Sequence, residues 1–239
     1  MANFNDTRLK QIMEEYKRLG PDDTFRFHCT QCGKCCRNRE DILLNPRDLF
    51  RIAVHLKLTP KEVFDQYCEA YICQNSRIPI VRLKPQGPNL LCPLLKNRKC
   101  EVHEAKPSVC AMFPLGRMLE VPKDSSDVTN AKIQYLFSDP HCGDASEEHT
   151  VRQWLEDFGL PLQDEFFLNW QQTVLTLGDS IRKLEEDHVP FFMITVWDVI
   201  FTALYLNYQE DEDFGAQFQK NAEVICDFVR NLVEGDADV

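Results

Sequence analysis

The chain has 239 residues, enough to bury a sizeable core without disulfide support, and its 44% hydrophobic and 27% charged residues suit a soluble globular protein. A formal net charge of −11, from 38 acidic against 27 basic residues, argues against nucleic-acid binding, which needs cations to neutralise phosphates. The opening MANFNDTRLK has no apolar run and no cleavage site, so no secretory signal is expected, and eleven cysteines then point to a reducing, cytoplasmic setting and to metal or redox use.

Asn5 or Asp6 can cap a first helix, with Leu9, Ile12, Met13, Tyr16 and Leu19 at helical spacing and Gly20-Pro21 as its stop. The run Cys29-Thr30-Gln31-Cys32-Gly33-Lys34-Cys35-Cys36 follows. Asn45-Pro46 then reads as an N-cap with proline in the first helical position, leading into Leu49, Phe50, Ile52, Ala53 and Leu56. Thr59-Pro60-Lys61-Glu62 is a capping box that opens a helix carrying Val63, Phe64, Tyr67 and Tyr71. The stretch 77–83 is extended, and Pro79 marks it as an edge strand. A turn at Gln86-Gly87-Pro88-Asn89 predicts a short hairpin with Leu90-Leu91-Cys92-Pro93, and a second hairpin is expected from 115–121 and 132–137.

From Ser146 the reading is helical. One piece carries Trp154, Leu155 and Phe158 and ends at Gly159; another carries Phe166, Phe167, Trp170, Val174 and Leu177. The apolar stretch 189–206 approaches transmembrane length. Asp198 near its middle would cost about 2.5–3.5 kcal/mol in a bilayer, so a buried core helix is expected instead. A last amphipathic helix carries Phe218, Val224, Ile225, Phe228 and Leu232. These elements give an α+β fold, mostly helical. A loop-rich cysteine domain with short hairpins is expected over 1–145, with a helical segment over 146–239 packed on it, possible also as one single domain.

The four thiols between Cys29 and Cys36 cannot all pair with one another, because a disulfide has demanding geometry. A metal ion or an iron–sulfur core gathers thiolates from such a loop, and Gly33 supplies a permissive backbone. Four later cysteines stand in similar loops: Cys92 before Pro93, Cys100 after Asn97-Arg98-Lys99, Cys110 in Lys106-Pro107-Ser108-Val109-Cys110, and Cys142 in Asp139-Pro140-His141-Cys142-Gly143. The candidate ligands are thus Cys29, Cys32, Cys35, Cys36, Cys92, Cys100, Cys110 and Cys142. Cys68 and Cys73 fall in or just after the second helix and read as small buried hydrophobes, and Cys226 lies in the last amphipathic helix. A four-thiolate site carries roughly −2 charge by simple counting, which Arg26, Lys34, Arg37, Arg39, Lys96, Arg98, Lys99 and Lys106 could offset. His28, His103 and His141 lie near these thiols and read as supporting or surface groups.

The C-x-x-C-x-x-C-C run, the Cys-Pro-Leu-Leu at 92–95, the Lys-Pro-Ser-Val-Cys-x-Met-Phe-Pro segment at 106–114 and the final Cys-Gly resemble the YkgJ-type cysteine-cluster family over about 25–154. That family is described as zinc- or iron-chelating and includes flagellin lysine N-methylases, so the resemblance implies a metal and, by analogy, a protein substrate. Many of its members carry arginine directly after the third late cysteine. Here Ala111 holds that position, and any such role is absent or passes to Arg117.

Three thiols at successive C-x-x-C spacing, completed by a distant cysteine near proline, are similar to a ferredoxin run and favour one or two iron–sulfur clusters, of [4Fe–4S] type. Eight thiols also divide into two Cys₄ zinc sites. The first choice leads to a redox or protein-modifying enzyme, the second to a zinc scaffold for a protein partner. Methyl transfer finds little support: there is no G-x-G-x-x-G loop, and Arg39 stands where a C-x-x-x-C-x-x-C motif would need its third cysteine.

Overall fold

The computed structural model describes residues 16–121, 127–187 and 189–236. It is an α+β fold of helices and small antiparallel sheets. Strands β1 (Lys17–Leu19), β8 (Leu115–Glu120) and β9 (Lys132–Phe137) form one sheet in the order β1-β9-β8. Strand β2 (Thr24–His28) pairs with β10 (Asp144–Thr150), with a bulge between Asp144 and Glu148. A third sheet has the order β3-β5-β4, from Leu43–Leu44, Pro79–Leu83 and Cys68–Ile72. Strands β6 (Leu95–Lys96) and β7 (Lys99–Cys100) make a hairpin.

Helix starts follow local chemistry. Helix α1 (Pro46–Leu56) opens on a capping box between Asn45 and Asp48, and α2 (Pro60–Tyr67) on one between Thr59 and Glu62, each with proline in the first turn. Helix α3 (Ser108–Met112) is a short piece inside the cysteine region, and α4 (Val151–Glu156) opens on a Thr150–Gln153 box. The C-terminal half adds α5 (Glu165–Asp187), α6 (Pro190–Phe201), a π-helical turn over Thr202–Leu206, and α7 (Phe214–Asp236).

Two apolar clusters fill the interior. The larger joins α1, α2 and the third sheet to α5, α6 and α7 through residues such as Leu49, Ile52, Val81, Leu177, Ile200 and Ile225. The smaller joins β2, β8, β9 and α4 through Phe25, Phe27, Leu115, Tyr135 and Trp154. Helix α3 crosses the seam: Val109 and Cys110 pack on the first cluster, Ala111 and Met112 belong to the second.

Several expectations change. The expected first helix falls mostly outside the described residues, but its last stretch, Lys17–Leu19, is strand, because Leu19 is buried as the β1 partner of Tyr135. Helix α2 stops at Tyr67, and Tyr71 lies on β4, whose ladder with β5 outweighs the helical spacing. Strand β5 is central rather than an edge: Pro79 occupies its first residue, where a missing N–H costs little, and β3 and β4 flank it. The expected hairpin through 90–93 reduces to a single bridge between Gln86 and Leu91, and the hairpin forms instead at 95–100. Strand β10 replaces the expected helical start at 146–150. Helix α6 buries only one face, with Met193, Val196 and Ile200 inside and Phe191 79% exposed. Among the described residues no helix is long and apolar enough to cross a membrane.

Candidate metal centre

All eleven cysteines are free. Gly33 opens the tight turn of the first run with φ 72°, and a 3₁₀ turn over Lys34–Cys36 brings Cys35 and Cys36 to one spot, their Sγ atoms 3.8 Å apart. The N–H of Cys92 donates to the carbonyl of Cys36 at 2.9 Å, which ties the late loop to the early one. Cys100 arrives on β7 and Cys110 on α3.

Five of the eight predicted thiols, Cys35, Cys36, Cys92, Cys100 and Cys110, share one partly buried basin and feel one another electrostatically. Burial pushes Cys92 up to about 11, raises Cys100, and raises Cys110 further, where Cys92 and Cys35 add to the effect. Cys35 is the exception. Its hydrogen-bond contact with the Cys36 sulfur comes first, Lys106 and Arg39 lie within reach, and it is held low, at about 6. Cys36 is raised in turn. One thiolate in the basin is therefore stabilised at the cost of its neighbour's ionisation.

The other three thiols are arranged differently. Cys32 accepts N–H bonds from Lys34 and Gly143 and is lowered, while Cys142 beside it is raised by burial, by Cys32 and by Cys35, so this pair borders the basin. Cys29 is exposed. Gly143 is indispensable to this arrangement, because at φ 67° a Cβ there would overlap the His28 carbonyl and lie 2.8 Å from the Phe27 ring.

Backbone N–H groups already aim at the sulfurs. Cys92 accepts from Leu94, Cys100 from Val102, and Cys32 from Lys34. An N–H two residues on that donates to sulfur stabilises thiolate and is the support a metal–thiolate loop requires. The donor set is sulfur throughout and fits zinc or an iron–sulfur core. Among the described residues no three Cys, His, Asp or Glu side chains stand close enough together to grip a single ion. The histidines are engaged elsewhere: His28 Nδ1 bonds Glu147 at 2.8 Å, His141 faces Asp139 and solvent, and His103 packs on Phe158. Of the expected charge-compensating cations, Lys34 donates to the His141 carbonyl at 2.7 Å, whereas Arg26, Arg39 and Lys96 pair with Glu148, Asp41 and Glu101.

Two carboxylates that sequence reasoning missed hold the frame. Asp48, buried under the Cys110 loop, accepts from the Ser108 N–H at 2.8 Å and from its hydroxyl at 2.7 Å, so one residue caps α1 and fixes α3. Burial raises its pKa against these bonds. Asp164, 1% exposed, receives both Arg47 and Arg117 at 2.5 and 3.0 Å. Burial opposes its charge, but the bonds from Arg47 prevail and hold it below the usual carboxylate range. Arg117 also lies flat on Phe167, 3.5 Å from the ring centre, and so works as a frame residue away from the thiols. The sequence signal for Asp48 was its place as the fourth residue of an Asn-Pro-x-Asp box; Asp164 had none.

Free thiols gathered in loops, with backbone donors turned toward sulfur, define a metal-chelating cysteine domain. Residues 28–143 match the family model CxxCxxCC, "Putative zinc- or iron-chelating domain", and the chain is similar to that family over this stretch. It is also similar to uncharacterized protein MJ0661 of Methanocaldococcus jannaschii, with 30% identity over 88 residues, or 37% of this chain. The match spans 44% of that relative's length. No solved structure matches the chain.

Proposed function

We propose that the chain is an iron–sulfur protein of a reducing, cytoplasmic setting, with a cluster in the basin of Cys35, Cys36, Cys92, Cys100 and Cys110, and a redox or protein-modifying role. The observation that carries this reading is the gathering of five thiols in one partly buried basin, one more than a single tetrahedral zinc ion takes. A polynuclear iron–sulfur core is held by cysteine thiolates drawn from such loops. Lys106 and Arg39 supply nearby positive charge for it. When bound, the group would supply one-electron chemistry. The chain's own part is to hold the thiolates, direct N–H groups at sulfur and limit water. Cys29, Cys32 and Cys142 would provide a second, more open group of ligands.

A second reading, a structural Cys₄ zinc scaffold for a protein partner, is favoured by the N–H···S turns at Cys32, Cys92 and Cys100 and by the exposed apolar face of α6 with Phe191, Ile194 and Val199. Anaerobic purification decides between them. A broad blue–violet absorption that dithionite bleaches, with iron and sulfide in matching amounts, supports the cluster. Colourless protein with stoichiometric zinc moves the reading to the scaffold, and folded, metal-free protein would overturn both.

A further inference from the structure

Beside the thiol basin lies a recess of about 510 Å³ lined by Arg37, Asn38, Asn89, Leu91, Leu95 and Arg98. Its position follows from the cysteine loops: Arg37 directly follows Cys36, Leu91 precedes Cys92, and Arg98 is two residues before Cys100. The N–H of Asn38 donates to the Asn89 carbonyl at 3.0 Å, so the two carboxamide residues stand on adjoining strands of chain.

Among the described residues no acidic side chain lines this recess, although the chain carries a net charge of −11. The arginines sharpen the point. Arg18, Arg26, Arg39, Arg47, Arg77, Arg82, Arg117, Arg152, Arg182 and Arg230 each face a carboxylate, and Arg51 a carbonyl. Among the described arginines, Arg37 and Arg98 alone have a side chain with no ion-pair or hydrogen-bond partner. Both open onto the same recess.

Backbone geometry at Arg98 points the same way. Asn97 and Arg98 are the two-residue turn of the 95–100 hairpin, with φ 49° and 66°. Such a turn favours Asn-Gly, because its second position is left-handed and strains any residue with a Cβ. The turn here has the asparagine but holds arginine where glycine would be easiest.

We propose that this recess binds a small molecule bearing a carboxylate or phosphoryl group, next to the metal centre. Two planar guanidinium forks suit bidentate recognition of an oxyanion, and the neighbouring carboxamides can bond its remaining polar atoms. Leu91 and Leu95 offer a short apolar wall for its carbon skeleton. The volume suits a metabolite-sized ligand. This inference goes beyond the metal reading and holds for either metal.

The test is calorimetric titration of the metal-loaded protein with citrate and with inorganic pyrophosphate at low ionic strength, with metal content measured on every sample. Saturable one-to-one binding of either probe is expected, and which probe binds tells carboxylate from phosphoryl. Arg98→Gln should weaken it about tenfold or more, the loss of a charged hydrogen bond. Arg98→Gly is the decisive variant: it relieves the turn, so Tm should hold or rise while binding is lost. Arg230→Gln should bind as the parent does. The proposal is overturned if neither probe saturates, if Arg37→Gln/Arg98→Gln with normal metal content binds as the parent does, or if only a hexaglutamate peptide binds.

Discussion

The two groups of thiols in this domain solve different problems. Cys35, Cys36, Cys92, Cys100 and Cys110 meet in a basin at the seam of two apolar clusters, where burial holds most of them protonated. Cys29, Cys32 and Cys142 sit toward solvent, where backbone donors rather than burial govern Cys32. The inner group is costly to ionise without a cation and gains most from binding one. In the outer group Cys32 ionises more readily, and the thiols are less enclosed. Tightness of binding should therefore follow position in the fold rather than order in the C-x-x-C-x-x-C-C run.

The largest effect should come from exchanging single thiols across that divide. Cys36→Ser, Cys92→Ser or Cys110→Ser should empty the inner group and lose most of the bound metal, whereas Cys29→Ser should retain more than it loses. Metal analysis per chain after desalting reads this directly, and equal losses in both sets would erase the distinction.

Next comes the frame of the inner side. Replacing Asp164 by asparagine leaves Arg47 and Arg117 buried without their counter-charge, at a cost of about 3–5 kcal/mol in urea unfolding. The pH dependence has a definite sign. Because the folded-state pKa of Asp164 lies below its ordinary 3.8, its stabilisation is fully present above that value and fades as pH falls through the lower, folded one. The gap between parent and Asp164→Asn should thus be wide at pH 6 and narrow below about pH 4. A gap that stays constant would remove the ion pair as its cause.

Gly143→Ala strikes the outer side instead. A Cβ there meets the His28 carbonyl and the Phe27 ring at a left-handed φ, so a loss of about 2–3 kcal/mol is expected, with Cys142 displaced and inner metal kept. Thermal unfolding and metal content on one sample separate the two consequences.

Much of this was legible in the residues, for physical reasons that can be named. The N-cap at Asn45 and the capping box at Thr59, each followed by proline, act within one turn of chain, so α1 and α2 start where the sequence places them. Thiols grouped in Gly- and Pro-rich loops announced a metal domain, and the family match bears that out. Illegible were the features set by distant partners. Tyr71 belongs to a strand because β5 pairs with it, and Thr24–His28 is strand because β10 returns from more than a hundred residues away. Nothing local shows that Cys35 faces Cys100 and Cys110 while Cys29 does not. Asp164 reads as one surface acid among 38 until two arginines close on it.

The smallest change is the most discriminating. Ser108 gives both its N–H and its hydroxyl to buried Asp48, and it starts the helix that carries Cys110. Ser108→Ala removes the hydroxyl bond and keeps the N–H bond, so unfolding should cost about 1–2 kcal/mol. If α3 merely packs, metal affinity should stay at the parent value. If Asp48 sets where Cys110 stands in the basin, Ser108→Ala should release inner metal to a chelator several-fold faster while the outer group is unchanged, and Ser108→Thr, which restores the hydroxyl, should recover most of the difference. Chelator-release rates for the three proteins, measured where all are fully folded, distinguish a loop held for the metal from one held only for stability.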